Sequence, residues 1–264
     1  MTGWTLGEIA AHCGGALEGA PDPKRVVPIG KVSIDSRTIE KGAVFVAVQG
    51  VRDGHDFVAD AGARGASAAL VAREFATPEP TSLPLIRVDD PQAALWRWAE
   101  AHRAAMNARR IAVTGSSGKT TTKDRISEVL AADGPVHATS GNLNNQLGVP
   151  LTLLALRPEH RWSIVEIATN HPGEIEPLAR LVRPDHLVLT TVGWAHVGAF
   201  GSREEILDEK LSALRAIASG GMLFHDADPW LVARLPRLAA GVDRLSFGLE
   251  TEADCRPERL EWDW

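Results

Sequence analysis

The sequence predicts an α/β protein of two parts: a small N-terminal α/β domain, then a doubly wound, mostly parallel sheet carrying a phosphate-binding loop. Three observations predict it. From Arg110 onward, β-like runs (RIAVTG, WSIVEIA, DHLVLTTVG, GMLFH) alternate with helical stretches (SGKTTTKDRISEVLAADG, PGEIEPLARLV, SREEILDEKLSALRAIAS). That alternation is the mark of parallel strands joined by helical crossovers. The first of these runs leads directly into TGSSGKTTT, a glycine turn opening a helix. The residues before Arg110 show a different rhythm of short strands and small-residue stretches, interrupted by the Pro-rich loop ATPEPTSLP.

The elements follow in chain order. Between about Trp4 and Arg87, VFVAVQG and LPLIRV read as strands and HDFVADAGARGASAALVA as a helix rich in small residues, with Asp56 as its expected N-cap. PQAALWRWAEAHRAAMNARR places Ala94, Leu95, Trp98, Ala101 and Ala105 at helical spacing and ends in a basic cluster, so the domain boundary is expected between Met106 and Arg110, giving domains 1–107 and 108–264. Beyond it, polar residues gather where the predicted strands end: Gly115 to Thr120 after the first, Glu166 near the end of the second, His196 after the third, and His225, Asp226 and Asp228 after the fourth. Ligands of open α/β sheets collect at that edge.

Composition narrows the class. The 264 residues are 44% hydrophobic, enough for proper cores. A formal charge of −6 gives no reason to expect nucleic acid or an anionic membrane surface. Cys13 and Cys255 fit neither a disulfide framework nor a metal cluster, so a reducing compartment is the default. The start, MTGWTLGEIAAHCGG, carries acid and histidine where a signal peptide carries positive charge, and no later run is long enough to span a bilayer. The expectation is a cytoplasmic protein without membrane insertion. With no heptads and no dominant exposed apolar face, it is expected to be a monomer.

A strand, a glycine turn and a helix N-terminus present backbone N–H groups and a positive dipole end to an anion. Gly115, Ser116, Ser117, Gly118, Lys119, Thr120 and Thr121 form that loop. Lys119 would reach the β- and γ-phosphates and Thr120 would offer its hydroxyl to Mg2+, which prefers oxygen ligands shared with phosphates. Val113 stands where the general Walker pattern has its first glycine, leaving the compact Thr-Gly-x-x-Gly-Lys-Thr. The plain alternative is a tight turn with a solvated lysine. Such loops serve kinases, GTPases, motors and ligases alike. No Asn-Lys-x-Asp guanine-reading motif occurs. Asn142, Asn144 and Asn145, ahead of Gly148-Val149-Pro150, taken alone read as a turn.

Taken in order, TGSSGKTTTK, GNLNNQLGVPLTLL, EIATNHPGEI and GWAHVGAFGS, together with DSRTIEKGAVFVAVQGVRDGHDF in the first domain, resemble the Mur ligases over essentially the whole chain. The Asn-Asn and Asn-His-Pro-Gly-Glu-Ile stretches favour the member that joins D-alanyl-D-alanine to UDP-N-acetylmuramoyl-tripeptide over the one that adds the third amino acid. The resemblance implies an ATP-dependent reaction through an acyl phosphate. It further implies that Lys119 and the Gly115–Thr121 backbone hold the phosphates, that Thr120 and Glu166 hold one Mg2+, and that His196 lies near a second metal. Lys210 would be carboxylated to complete that second site, making Lys119, His196 and Lys210 the catalytic set. Ser36 and Arg37 would contact the uridine diphosphate end of the substrate, and Asn142, Asn144 and Asn145 would also be substrate-binding.

Plain readings stand beside these. Glu166 could be an ordinary strand-end acid, though a carboxylate among apolar neighbours is costly unless paired. His196 could be a loop histidine bonded to backbone, Lys210 could lie on a solvated helix face, and Asp35-Ser36-Arg37 could be an Asx-type turn. The sequence also departs from the family. Thr191 stands where members carry Asn, and His225-Asp226-Ala227-Asp228 stands where they carry an Asn-x-Asp-Asp-like stretch. After RLEWDW, in which Leu260, Trp262 and Trp264 alternate as in a half-buried strand, the family continues into a third, Rossmann-like domain that closes over ATP. Domain closure keeps water from an acyl phosphate, so the expectation is poor ligase turnover unless such a domain is supplied in trans. The alternatives are a stand-alone nucleotide-binding module and a phosphate-loop kinase or NTPase.

Overall fold

The computed structural model describes residues 3–76, 82–194, 197–249 and 252–258. His196 and the Leu260–Trp264 alternation lie outside the described residues. The chain divides into two compact units, Met1–Asn107 with Pro150–Pro158, and Ala108–Val149 with Glu159–Trp264. Among the described residues no helix is long and apolar enough to cross a membrane.

In the first unit, β1 (Gly3–Thr5) runs into α1 (Leu6–Cys13) through a capping box between Thr5 and Glu8. β1 pairs antiparallel with β3 (Val26–Pro28). A second sheet combines β2 (Ala16–Glu18), β4 (Val32–Ser33), β5 (Val44–Val46), β6 (Ala68–Ala72) and β7 (Leu85–Val88) in the order β2-β7-β6-β5-β4, parallel except at β2. α2 (Val58–Ala63) brings Val58 and Ala61 into a core with Phe45, Ala69, Val71 and Leu85. α3 (Pro91–Ala104) is opened by Asp90, which accepts from Gln92 N and Ala93 N, with Pro91 in the first turn. Ala94, Leu95 and Trp98 are buried as their spacing predicts, whereas Ala105 is exposed beyond the helix end.

Two sequence expectations need correction here. The last five residues of HDFVADAGARGASAALVA, Ala68–Ala72, are not helix but strand β6, flanked by β5 and β7. A strand buried on both faces is a continuous apolar run, which periodicity cannot separate from a helix of small residues. The capping aspartate is Asp53, not Asp56: its side chain accepts from His55 N at the start of a 3-10 turn, Gly54–Phe57, and α2 follows without a side-chain cap. His55 then accepts the Ala72 N–H at the end of β6 with Nε2 (2.9 Å) and donates from Nδ1 to Asp53 (2.6 Å).

In the second unit the strands are β8 (Arg109–Thr114), β9 (Val136–Ala138), β10 (Trp162–Glu166), β11 (His186–Leu189), β12 (Met222–Asp226) and β13 (Asp243–Phe247). They form a parallel sheet in the order β13-β12-β11-β8-β10-β9. The helices of this unit are α4 (Lys119–Leu130), α6 (Ile175–Val182), α7 (Val197–Phe200), α8 (Arg203–Leu211), α9 (Pro229–Val232) and α10 (Leu235–Leu238), while α5 (Gly148–Leu154) begins at its Gly148 and Val149 and continues in the Pro150–Pro158 segment of the first unit. Val113, Ile164 and Val188 lie at the centre of one face's core. β8 lies between β10 and β11, so the connections that follow it run to opposite sides. The crevice at its carboxyl end is the place where such a sheet binds ligands.

Candidate functional site

That crevice is filled by the loop between β8 and α4. Gly115 has φ +152°, and a Cβ there would lie 1.9 Å from Thr190 Oγ1. Only glycine allows so close an approach. Gly118, at φ 76° in the left-handed region, is the N-cap of α4 and places no side chain over its first amides. Amides at such a helix start, with the positive end of the helix dipole, can accept an anion.

The end of β11 props the loop. Thr190 Oγ1 donates to Ser117 O (2.6 Å), Ser116 N donates to Thr191 O (2.8 Å), and Gly193 N donates to Ser116 Oγ (3.0 Å). Thr191, the departure from the family's Asn, puts its hydroxyl 3.0 Å from Ser117 Oγ. Lys119 Nζ donates to Gly115 O at 2.9 Å and lies 3.5 Å from Ser116 O, so the ammonium rests on the loop's own carbonyls. Burial lowers its pKa, with Glu166 opposing. Thr121 is exposed on the first turn of α4.

Glu166, 2% exposed, ends β10 beside the loop. Its Oε2 accepts from Thr120 Oγ1 and its Oε1 from Asn144 Nδ2, both at 2.8 Å, while its own N–H donates to Thr139 Oγ1 (3.0 Å). The acid is therefore a paired group in a buried wall and not an isolated strand-end charge. A carboxylate and a threonine hydroxyl in contact at the foot of an anion cradle are oxygen donors of the kind Mg2+ uses with phosphate. Of the three asparagines only Asn144 reaches this cluster. Asn145 Oδ1 accepts from Leu147 N and Gly148 N and so caps α5, and Asn142 is exposed with its carbonyl accepting from Asn144 N.

Lys210 is 5% exposed, so the solvated-face reading fails. Burial lowers its pKa to about 8, with Lys119 adding to the shift and Glu209 opposing it. His225 is buried and donates Nδ1–H to Asp226 O (2.9 Å). Asp228 accepts from Trp230 N and, at 2.5 Å, from Arg203, whose guanidinium stacks 3.8 Å from the Trp230 ring centroid.

In the first unit, Asp35-Ser36-Arg37 is an Asx-type turn: Arg37 N donates to Asp35 Oδ1 (2.9 Å). The exposed Arg37 side chain also grips Asp35 through Nε (2.9 Å) and Nη2 (2.7 Å), which holds that carboxyl at about 2. Ser36 is 5% exposed, and its hydroxyl helps hold the Asp60 carboxyl below the usual carboxylate range. Three residues of the second unit went unnoticed in the sequence: Thr190, Glu209 and Arg203. Each acts through a partner distant in the chain, and short motifs give no sign of it.

The family model described as the Mur ligase middle domain matches residues 113–263, and that described as the Mur ligase family catalytic domain matches residues 28–109. The chain belongs to the Mur ligase family. Among curated relatives, the UDP-N-acetylmuramoyl-tripeptide--D-alanyl-D-alanine ligase of Bacillus subtilis is 40% identical over 198 residues, covering 75% of this chain and 43% of that protein. The enzyme of the same name from Escherichia coli is 36% identical over 234 residues, covering 88% of this chain and 50% of that protein. The chain thus spans about half the length of the curated relatives it matches. Crystal structure II of MurF from Acinetobacter baumannii superimposes with a TM-score of 0.86 at 32% identity, covering 98% of this chain and 55% of that one. MurF ligase from Thermotoga maritima, solved in complex with ADP, gives 0.72 at 32% identity over 83% of this chain and 50% of that one. Among Mur ligases, then, the two units correspond to the N-terminal and central domains, as the fold class read from the sequence requires.

Proposed function

We propose that the chain forms the substrate- and nucleotide-binding parts of an ATP-dependent ligase that joins D-alanyl-D-alanine to UDP-N-acetylmuramoyl-tripeptide. The observation that carries this reading is the contact of Thr120 and Asn144 with Glu166 at the foot of a glycine cradle. The peptide carboxylate attacks the γ-phosphorus of ATP, giving an acyl phosphate and ADP, and the dipeptide amine then displaces phosphate to form the amide. This chemistry asks mainly for positioning and charge neutralisation. The Gly115–Thr121 amides and Lys119 hold the phosphates; to do so the Lys119 ammonium leaves the carbonyls of Gly115 and Ser116.

Thr120 and Glu166 would hold Mg2+, which supplies further neutralisation of phosphate charge. A buried carboxylate already in contact with an exposed threonine hydroxyl fits that ion. Lys210, with a pKa near 8, has an appreciable neutral fraction close to neutrality. Its amine could add to the carbon of CO2, forming an N–C bond and losing a proton, and the resulting carbamate oxygen, with His196, would then be available to hold a second metal ion. In the first unit Arg37 would exchange its hold on Asp35 for the diphosphate, a bidentate acceptor of similar geometry. Ser36, buried beside Arg37 in the same turn, would stand at that end of the substrate with it.

Titration calorimetry of the purified chain with MgATP and, separately, with UDP-N-acetylmuramoyl-tripeptide tests the reading. Binding of both is expected. Nucleotide binding without any muramyl-tripeptide binding would overturn it in favour of a stand-alone nucleotide module.

A further inference from the structure

The Asn170–Ile175 segment is part of a sequence motif that the nucleotide site does not use. Asn170, His171, Pro172 and Gly173 are exposed. Glu174 folds back over its own turn, its Oε2 accepting from Thr169 Oγ1 (2.9 Å), Asn170 N (2.9 Å) and His171 N (3.2 Å). It therefore gives α6 no side-chain cap, although it stands at the N-cap position. The cap comes from α8. Glu209 Oε2 accepts from Gly173 N and Glu209 Oε1 from Ile175 N, both at 2.8 Å. One carboxylate thus satisfies two amides at a helix start, where negative charge is also favoured by the dipole.

The next residue is Lys210, buried at 5% exposure. Successive residues on a helix point about 100° apart, so α8 cannot turn about its axis without moving both side chains. At the other end of α8, Arg203 donates from Nε to Val192 O (2.7 Å) and from Nη2 to Asp228 (2.5 Å). The helix is held at both ends, and Glu209 is the anchor adjacent to the buried lysine.

We propose that Glu209 is a positioning residue for Lys210: by capping α6 it sets the rotation of α8 and keeps the Lys210 amine turned into the nucleotide site. This rests on the reading of Lys210 as a member of that site. The test compares wild type, Glu209→Ala, Glu209→Gln and Lys210→Met. The rate at which an amine-acylating reagent modifies Lys210 is read peptide by peptide by mass spectrometry. Lys123, equally buried at 5% and bonded to Thr139 O, is the internal control for general loosening.

In Glu209→Ala, Lys210 modification, read at a pH well above 8 where the amine is already neutral and loss of the Glu209 charge no longer changes the reactive fraction, is expected to rise about tenfold, the local-opening effect of a lost cap, with Lys123 unchanged. Glu209→Gln, which keeps one acceptor oxygen, should fall between, and it carries the comparison if the alanine variant does not fold. Wild-type labelling of Lys210 in both variants, whatever happens to the thermal midpoint, would overturn the proposal and leave Glu209 as a cap alone. So would fast hydrogen exchange at the Gly173 and Ile175 amides of the wild type. A Lys210→Met variant with unchanged MgADP affinity and MgATP-dependent phosphate release would remove Lys210 from the site, a failure of that reading and not of the positioning.

Discussion

Replacing Gly115 by alanine should damage nucleotide binding through a single atom. The new Cβ would lie 1.9 Å from Thr190 Oγ1 and 3.1 Å from both Thr190 Cβ and Thr191 N, on a backbone with φ +152°. Neither neighbour is the far end of a flexible side chain, so the loop must withdraw from β11. Withdrawal gives up the Thr190 Oγ1 to Ser117 O bond (2.6 Å) and the Ser116 N to Thr191 O bond (2.8 Å). At roughly 0.5–1.5 kcal/mol net for each bond, the loss is about 1–3 kcal/mol. If the displaced loop must be restored to hold phosphate, that is roughly 5- to 150-fold in affinity, since about 1.4 kcal/mol is tenfold. The assay is calorimetric titration with MgADP. Thr190→Ala removes the clashing oxygen, so the Gly115→Ala/Thr190→Ala double variant should bind more tightly than Gly115→Ala alone, a non-additivity a mutant cycle reads directly. Unchanged affinity in Gly115→Ala, or a double variant no better than the single, would refute the reasoning.

Other perturbations have equally definite outcomes. Asn144→Ala removes one donor from the buried Glu166 carboxylate and should destabilise the second unit by about 1–3 kcal/mol in urea titration. Glu166→Gln should make nucleotide affinity nearly the same with Mg2+ and with chelator, while the wild type shows a clear difference between them. His102, fully buried, accepts from Trp4 Nε1 on Nδ1 (2.7 Å) and donates Nε2–H to Leu156 O (2.7 Å), and burial lowers its pKa below 6.5. The unfolded chain therefore binds the extra proton first. The stability this neutral histidine supports is complete above pH 6.5 and is lost as pH falls below that value towards the folded-state pKa. Unfolding midpoints measured from pH 7.5 down to about 5 should fall in the wild type and fall less in His102→Asn, a pair of parallel curves being the contrary result.

The parts that local chemistry controls were readable from the residues. The glycine turn ahead of α4, the parallel strands and the placing of Glu166 at the end of β10 each follow from a pattern a few residues long, because the turn and the helix start are set by neighbours in the chain. Ala68–Ala72 was misread because a strand covered on both faces loses the alternation that identifies strands. Asp53 was passed over for Asp56 because a 3-10 turn precedes the helix and shifts the cap by one short turn. The burial of Lys210 contradicts the charged look of its helix, whose neighbours Asp208 and Glu209 suggest solvent. Glu209 is drawn to two amides more than 30 residues earlier, and Thr190 to a carbonyl 73 residues earlier. Pairings of that separation exist only once the sheet has formed. They are invisible to spacing in a single chain, however well the motifs around them are recognised.

The central claim is that the Gly115–Thr121 amides with Lys119 hold nucleotide phosphates. It is tested most directly by titrating MgADP into the wild-type chain and into Lys119→Ala. A charge-assisted contact of about 1.5–3 kcal/mol predicts affinity lower by roughly 10- to 150-fold in the variant, with the fold intact. Equal affinity in the two proteins, or heat from neither, would contradict the account.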